Sequence, residues 1–486
     1  RLKEDPVQIP FPGSFLFGTA FFLIFYSMSL AYKVRKALSF HSGDISILLS
    51  CNALYFALGL SILHFSFEGN FQGLFTVGMA AFNFLFVFRY YRWKSVDRNL
   101  FYTLVGLVLT FITLAAPIRL EGDHITLFWS AEAVLLLWLA QKSGISLLKL
   151  GSVTVTGLML ISLLMDQVDI YRPVLEQKEA TLYPILNPGA ITGSVSIASL
   201  LGTLRLLRSE QGPFFFQAFP LSPYRHTITG LSILMAYLVP MLELYAQTEL
   251  RMDHESLRTV IMGTYHFTAS LILLHAARLK APYSLRVAAF FGAILLLLSY
   301  LFHYQSAISQ LQLAYLEKLQ VPLIAYLMHF LLVGGVLLFL RKTWHLLKCI
   351  EEQKGEFRPI FRWFATFMLV FLASSELDQL VLWIGAGSSM SPEALREQNA
   401  MIGYPILWGL SSFLLMWQGL KAKLRNLRVI SLSLFGLTLL KLFIIDIQEI
   451  PEVGRVIAFV SLGVLLLVVS FMYQKLKGIV LDEDDE

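Results

Sequence analysis

Charged and imidazole side chains set inside apolar stretches are the residues of this sequence that could do chemistry. Glu132 stands within "LFWSAEAVLLLWLA", Glu376 and Asp378 interrupt "ASSELDQL", and Lys441 and Asp446 share "LKLFIIDI". Glu243 lies in "VPMLELY", and His266, His275, His303 and His329 occur in further apolar runs. An ionisable group in hydrocarbon costs a few kcal/mol or more unless it is paired or faces water, so each is a candidate site. Glu132, His266, His329, Glu376 and Lys441 are the candidates for lining a common substrate cavity. A carboxylate or imidazole there could act as a general base.

Spacing removes several partnerships. Lys441 and Asp446 are five positions apart, about 140° around a helix, so neither the i+3 nor the i+4 contact is open to them. Lys441 therefore needs a partner on another helix, or reaches for the interface. Glu376 and Asp378 point to different faces, and His266 and His275 to opposite ones, so the two imidazoles cannot share a metal. Cys51 and Cys349 form no metal spacing and no disulfide framework. No HExxH, G-x-S-x-G or phosphate-loop pattern occurs, and no DxD outside the acidic tail, so no metal, nucleotide or acyl-enzyme chemistry is supported and no cofactor is expected. The bland alternatives are packing for a lone histidine, and reach to solvent for Glu243 and Asp446.

The elements that must position these groups follow from composition. Of 486 residues, 56% are hydrophobic and only 15% charged, against about 25% charged in soluble domains. Apolar runs of about 20 residues, each long enough to cross a bilayer, recur throughout. They predict an all-α, polytopic transmembrane bundle of about fifteen spans. The spans fall near 13–32, 45–65, 71–88, 100–118, 124–141, 146–165, 187–204, 227–247, 258–277, 285–304, 322–340, 361–384, 402–420, 429–447 and 454–473. Segments 166–186, 305–321, 341–360 and 385–401 read as the longer loops. None could hold a soluble domain, so residues 1–486 read as one integral-membrane domain with an acidic tail at 480–486.

The net charge of +5 resides in short loops, which points to the membrane and away from nucleic acid. Alternate loops hold Lys33, Arg35 and Lys36, then Arg89 to Arg98, Lys142 and Lys149, Arg205 and Arg208, and so on to Lys475 and Lys477. The other loops carry only scattered bases such as Arg119, Arg172, Lys318, Arg396 and Arg455. The positive-inside rule then makes the basic set cytoplasmic, with residue 1 outside and the C-terminus inside. An outside start without an initiator Met or a signal peptide predicts that the chain is the later part of a longer one. In this orientation nearly all the candidate groups lie in the outer half of their spans.

One internal match stands out. "WSAEAVLLLWLAQK" (129–142) aligns without gaps on "WGLSSFLLMWQGLK" (408–421), pairing Trp129 with Trp408, Trp138 with Trp417 and Lys142 with Lys421. The register continues through Ser152 with Ser431 and Gly157 with Gly436. The alignment predicts parallel repeat hairpins over 124–166 and 402–447, with the tryptophans as interfacial anchors and the glycines allowing close helix approach. Glu132 has no counterpart in the second copy, where Ser411 stands.

The segments "YPILWGLSSFLLMWQGL", "RVISLSLFGLTLLKLFIIDI" and "GRVIAFVSLGVLLLVVSFMYQKLK" resemble a bacterial family of predicted membrane proteins, domain of unknown function 2339. "FWSAEAVLLLWLA" resembles the family's recurring Trp-x-x-Glu helix, which carries over Trp129 and Glu132. The resemblance implies a multi-pass protein of a bacterial cytoplasmic (inner) membrane and cell envelope, and brings no reaction, ligand or cofactor.

Three functions remain open. The leading one is a scaffold or subunit of an envelope membrane complex, with polar groups stitching helices together. The second is a transporter or flippase for a lipid-linked or polar envelope metabolite, working through an outward-facing polar cavity. The third is a membrane-embedded transferase on a lipid-linked substrate, which the lack of a catalytic motif disfavours. The partners expected are the bilayer, other envelope membrane proteins or a lipid-linked substrate.

Overall fold

A computed structural model describes residues 11–35, 40–91, 97–177, 181–210, 220–280, 282–317, 321–351, 357–387 and 389–444, with a few positions between 456 and 467. The described residues are helical apart from short connections, with no strand. The chain forms two compact units, residues 1–250 and 251–486.

In the first unit the helices are α1 (Phe11–Arg35), α2 (Ser42–Phe67), α3 (Gln72–Tyr91), α4 (Arg98–Arg119), α5 (Asp123–Ser143), α6 (Ser146–Gln177), α7 (Pro188–Leu207) and α8 (Leu221–Arg251). Sequential neighbours pack as hairpins, α1 on α2, α3 on α4 and α5 on α6, and α7 lies against both α5 and α6. Local sequence sets the ends. The Asp97 carboxylate accepts from the amides of Asn99 and Leu100 at 2.7 and 3.3 Å, satisfying two donors that the first turn of α4 leaves free. Gly144 ends α5 at φ 72°, a conformation a side chain disfavours. Asn187 and Pro188 open α7 as cap and first helical residue.

The second unit contains α9 (Glu255–Lys280), α10 (Tyr283–Ser299), α11 (Gln305–Leu316), α12 (Leu323–Leu327), α13 (His329–Glu351), α14 (Phe357–Ile384), α15 (Pro392–Gln398), α16 (Tyr404–Lys421) and α17 (Arg425–Ile444). One π-helical turn, Tyr300–Tyr304, joins α10 to α11, and another, Asn399–Gly403, joins α15 to α16. The buried aromatic and aliphatic core is built from α9, α10, α11, α13 and α14, with Phe267, Tyr300, Leu332 and Met368 fully enclosed. The α16–α17 hairpin packs on α14.

Among the described residues, twelve helices are long and apolar enough to cross a membrane. Large apolar side chains remain exposed on them, such as Leu54, Leu74, Ile272, Phe302 and Ile324. That pattern is unfavourable in water and expected in lipid, which is as apolar as a protein core. The protein is a multi-pass membrane protein.

Helices occupy most or all of each segment expected to span from 13–32 to 402–420, and α17 covers 429–444 of the segment expected at 429–447. The expected span at 454–473, together with Asp446, Arg455 and the acidic tail, lies wholly or largely outside the described residues. All four expected loops are largely helical among the described residues: α6 runs on to Gln177, α11 occupies Gln305–Leu316, α13 runs on to Glu351, and α15 with its π-turn fills Pro392–Gly403. Hydropathy ends a span where polar residues begin, whereas a helix continues as long as its backbone bonds and one buried face persist. In α11 that face is Ile308, Leu311 and Gln312.

Candidate functional site

A groove of about 610 Å³ lies in the second unit, bounded by α14, α16, α17 and the start of α11. One face of α14 lines it at helical spacing: Trp363, Thr366 and Phe367, Val370 and Phe371, Ser374 and Ser375, then Asp378. That stripe rises about 22 Å along the helix at 1.5 Å per residue, so the groove follows much of the membrane's apolar depth. Opposite it, α17 contributes Ile430, Ser433, Leu434 and Leu437. The wall is apolar at the Trp363 end and polar at the Asp378 end, where Gln305, Arg396, Tyr404 and Trp408 join it.

The polar end is internally braced. The Asp378 carboxylate accepts from Asn399 Nδ2 and from the Tyr404 hydroxyl, each at 2.6 Å. Trp408 Nε1 donates to Ser374 Oγ at 2.9 Å, and Ser374 donates onward to the Val370 carbonyl at 2.8 Å. Gln305 Nε2 donates to Ser375 Oγ. Gln305 and Tyr404 are each the first residue after a π-turn. The wider turn shifts the azimuth of everything that follows it, a device that recurs at functional sites. Gly403 leaves room for the Asn399 side chain, whose oxygen a Cβ at 403 would overlap. Arg396 differs from its neighbours: its Nη2 is buried and has no hydrogen-bond partner.

The five residues singled out from sequence do not line this groove. His329 and Glu376 are brought together, His329 Nε2 lying 3.7 Å from Glu376 Oε2, beyond hydrogen-bond range. His329 is fully buried and its Nδ1 lies 2.5 Å from the Tyr326 carbonyl oxygen, across the break between α12 and α13. Glu376 therefore faces α13, while Asp378, two residues on, faces the groove. Lys441 reaches across to donate to the Ala400 carbonyl at 2.8 Å, next to the Asn399 that braces Asp378. His266 sits half-buried on α9 beside Tyr265.

Glu132 belongs to the first unit and is 6% exposed. Its Oε1 accepts from the Thr113 hydroxyl at 2.8 Å, and Trp129 Nε1 donates to the Thr113 carbonyl at 3.2 Å. Thr113 on α4 is thus clasped twice by α5. Glu132 Oε2 is buried without a hydrogen-bond partner.

Sequence reasoning passed over three features. Glu243, expected simply to reach solvent, accepts four hydrogen bonds: from Tyr171 Oη and Asn187 Nδ2 at 2.7 Å, the Ile185 amide at 2.9 Å and Gln247 Nε2 at 3.0 Å. Its donors come from α6, the connection before α7, the α7 cap and α8, a set no local pattern announces. A second is the buried chain Tyr26–Asn83–Asn52, which joins α1, α3 and α2 through bonds of 3.2 and 3.1 Å. The third is the α14 stripe, which was legible as an i, i+3, i+4 series ending in serines and an aspartate. The expected close approach at Gly157 and Gly436 does not occur: a Cβ on either would meet nothing within 4 Å, because both face away from neighbouring helices. Tight glycine contacts lie instead at Gly403 and at Gly193, which faces Val239.

The two aligned hairpins share several details. Trp129 and Trp408 each donate to a helix that precedes the hairpin. Trp138 and Trp417 are 45% and 46% exposed. Ser152 donates to the Ala133 carbonyl and Ser431 to the Ser412 carbonyl, both at 2.7 Å. Each acceptor pairs with the other in the alignment.

Among the described residues no cluster of His, Cys, Asp and Glu is arranged to hold a metal. Compared with known proteins, residues 7–476 match the family model described as a predicted membrane protein of domain of unknown function 2339. Neither the curated proteins nor the solved structures yielded a match.

Proposed function

The chain belongs to the predicted membrane protein family of domain of unknown function 2339, and on that premise we propose that its second unit binds an amphiphile in the α14–α16–α17 groove. The reading is that of a transporter or flippase for a lipid or lipid-linked envelope metabolite. One observation carries it: the α14 stripe passes from Trp363 and Phe367 to Ser374, Ser375 and Asp378 along a single groove. An apolar tail matches the first part and a polar head the second. The volume of about 610 Å³ lies within the roughly 300–1,000 Å³ usual for small-molecule sites.

In the orientation set by the basic loops, the polar end lies toward the outer face of a bacterial cytoplasmic membrane. The head group would then be handled in the outer half of the bilayer. The matched details of the α5–α6 and α16–α17 hairpins support a parallel duplication in which the second copy serves the groove.

A scaffold role fits the first unit better. Its polar groups mostly bind one another across helices, as in the Glu243 and Tyr26–Asn83–Asn52 networks. A transferase reading finds support only in Asp378, whose two oxygens both already accept bonds.

Native mass spectrometry of the full chain, extracted gently from its membrane, tests the proposal. Ser433 is exposed and lines the groove, so Ser433→Trp fills the groove with little disturbance to packing. Wild type is expected to carry co-purified amphiphile and the variant to lose it. Equal retention by both proteins rejects the groove as the binding site.

A further inference from the structure

Resting on that reading of the groove, we propose that the amphiphile it takes has an anionic, phosphate-type head group and that Arg396 recognises it. Arg396 lines the polar end together with Asp378 and Tyr404. Asp378 lines the same end, yet it makes no ion pair with Arg396. One of its oxygens accepts from Asn399 and the other from Tyr404. Among the described residues Arg396 forms no ion pair. Its Nη2 is buried and unpartnered.

A buried guanidinium nitrogen without an acceptor is costly, because the lost hydration is not replaced. The other donors at this end are already committed, Gln305 to Ser375 and Trp408 to Ser374. The open valence of the site is therefore a cationic donor, and its complement is an anion. Guanidinium matches the planar, two-point geometry of phosphate and carboxylate oxygens. The stripe from Trp363 to Phe371 below it selects an anion that carries an apolar chain over a free one. Charge complementarity and the apolar wall together identify the occupant as a lipid with an anionic head.

The test uses the full chain in detergent, stripped of lipid and offered probes with identical chains: dioleoyl phosphatidic acid, dioleoylglycerol and a dioleoyl trimethylammonium lipid. Retention is read by native mass spectrometry, with thermal melting as a fold control. Phosphatidic acid is expected to be retained roughly tenfold better than either other lipid. Arg396→Gln should abolish that preference while Arg396→Lys keeps part of it, and excess inorganic phosphate should not displace the lipid.

Equal retention of the three lipids by wild type overturns the inference without recourse to any variant. So does an undiminished preference in a folded Arg396→Gln protein. Displacement by inorganic phosphate alone would make the site one for a soluble anion and overturn the lipid assignment. The groove reading fails separately, if Ser433→Trp leaves retention of all three lipids unchanged.

Discussion

The Ser431 hydroxyl donates to the Ser412 carbonyl at 2.7 Å, and the Ser412 hydroxyl returns a bond to the Ser431 carbonyl at 2.8 Å. The α16–α17 hairpin is laced twice at this point. The aligned position in α5–α6 has only one of the two bonds, from Ser152 to Ala133, because Ala133 has no hydroxyl to return the other. If the hairpins are copies, Ala133→Ser should restore the second bond at little steric cost. The expected gain is about 0.6 kcal/mol, the average for an interhelical hydrogen bond in a membrane protein. Ser152→Ala and Ser431→Ala should lose a similar amount. Reversible unfolding in mixed micelles measures each, and marked destabilisation by Ala133→Ser would sink the correspondence.

Glu243 gathers donors from four places, so its replacement should release the segment before α7. In Glu243→Gln the side-chain amide would confront either Tyr171 and Asn187 or the Ile185 amide and Gln247, donor against donor. A cost of about 1.5–3 kcal/mol is expected, as for hydrogen bonds to a charged group. Limited proteolysis near residues 181–187 should accelerate in this variant, and an unchanged cleavage rate counts against the clamp.

Glu132→Gln keeps an acceptor for the Thr113 hydroxyl and puts an uncharged amide nitrogen at the other, already unpartnered, position. Abundance and thermal stability should stay within about 1 kcal/mol of wild type. Thr113→Val, which removes the donor and strands the carboxylate, should be the more damaging change. If Glu132→Gln preserves the fold but abolishes lipid retention, Glu132 has a working role beyond the clasp.

Gly403→Ala places a methyl group where the Asn399 side chain sits, and Asn399 is tied to Asp378. The expected result is a displaced Asn399 and a cost of about 1–3 kcal/mol from overpacking. Loss of lipid retention should accompany it, since Tyr404 and Asp378 frame the polar end. Thermal melting and native mass spectrometry on the same sample separate the two effects. Retention equal to wild type would show that the π-turn does not shape the groove.

The partners of the polar groups illustrate what could be read in advance. That Glu376 and Asp378 serve different faces follows from their spacing alone, and the structure places one toward His329 and the other in the groove. That Lys441 must leave its own helix for a partner follows in the same way, and it finds the Ala400 carbonyl. The identity of the partners did not follow. In lipid, a helix face toward the bilayer is as apolar as one toward a neighbour, so hydrophobic periodicity no longer marks the buried side. Gly157 and Gly436 show the consequence: their shared register was legible, but not that both face open space.

From its sequence by itself, this protein was determined to be an all-helical membrane chain, because apolar length and polar interruption are local properties. Membership of its family could be read at the same level. Tertiary structure alone decided which polar residues meet. Asp378, Arg396 and Tyr404 converge only after α14 ends, α15 turns back and the π-turn at 399–403 rotates α16. Such an azimuth depends on the packing of three helices at once, and no spacing within any one of them encodes it.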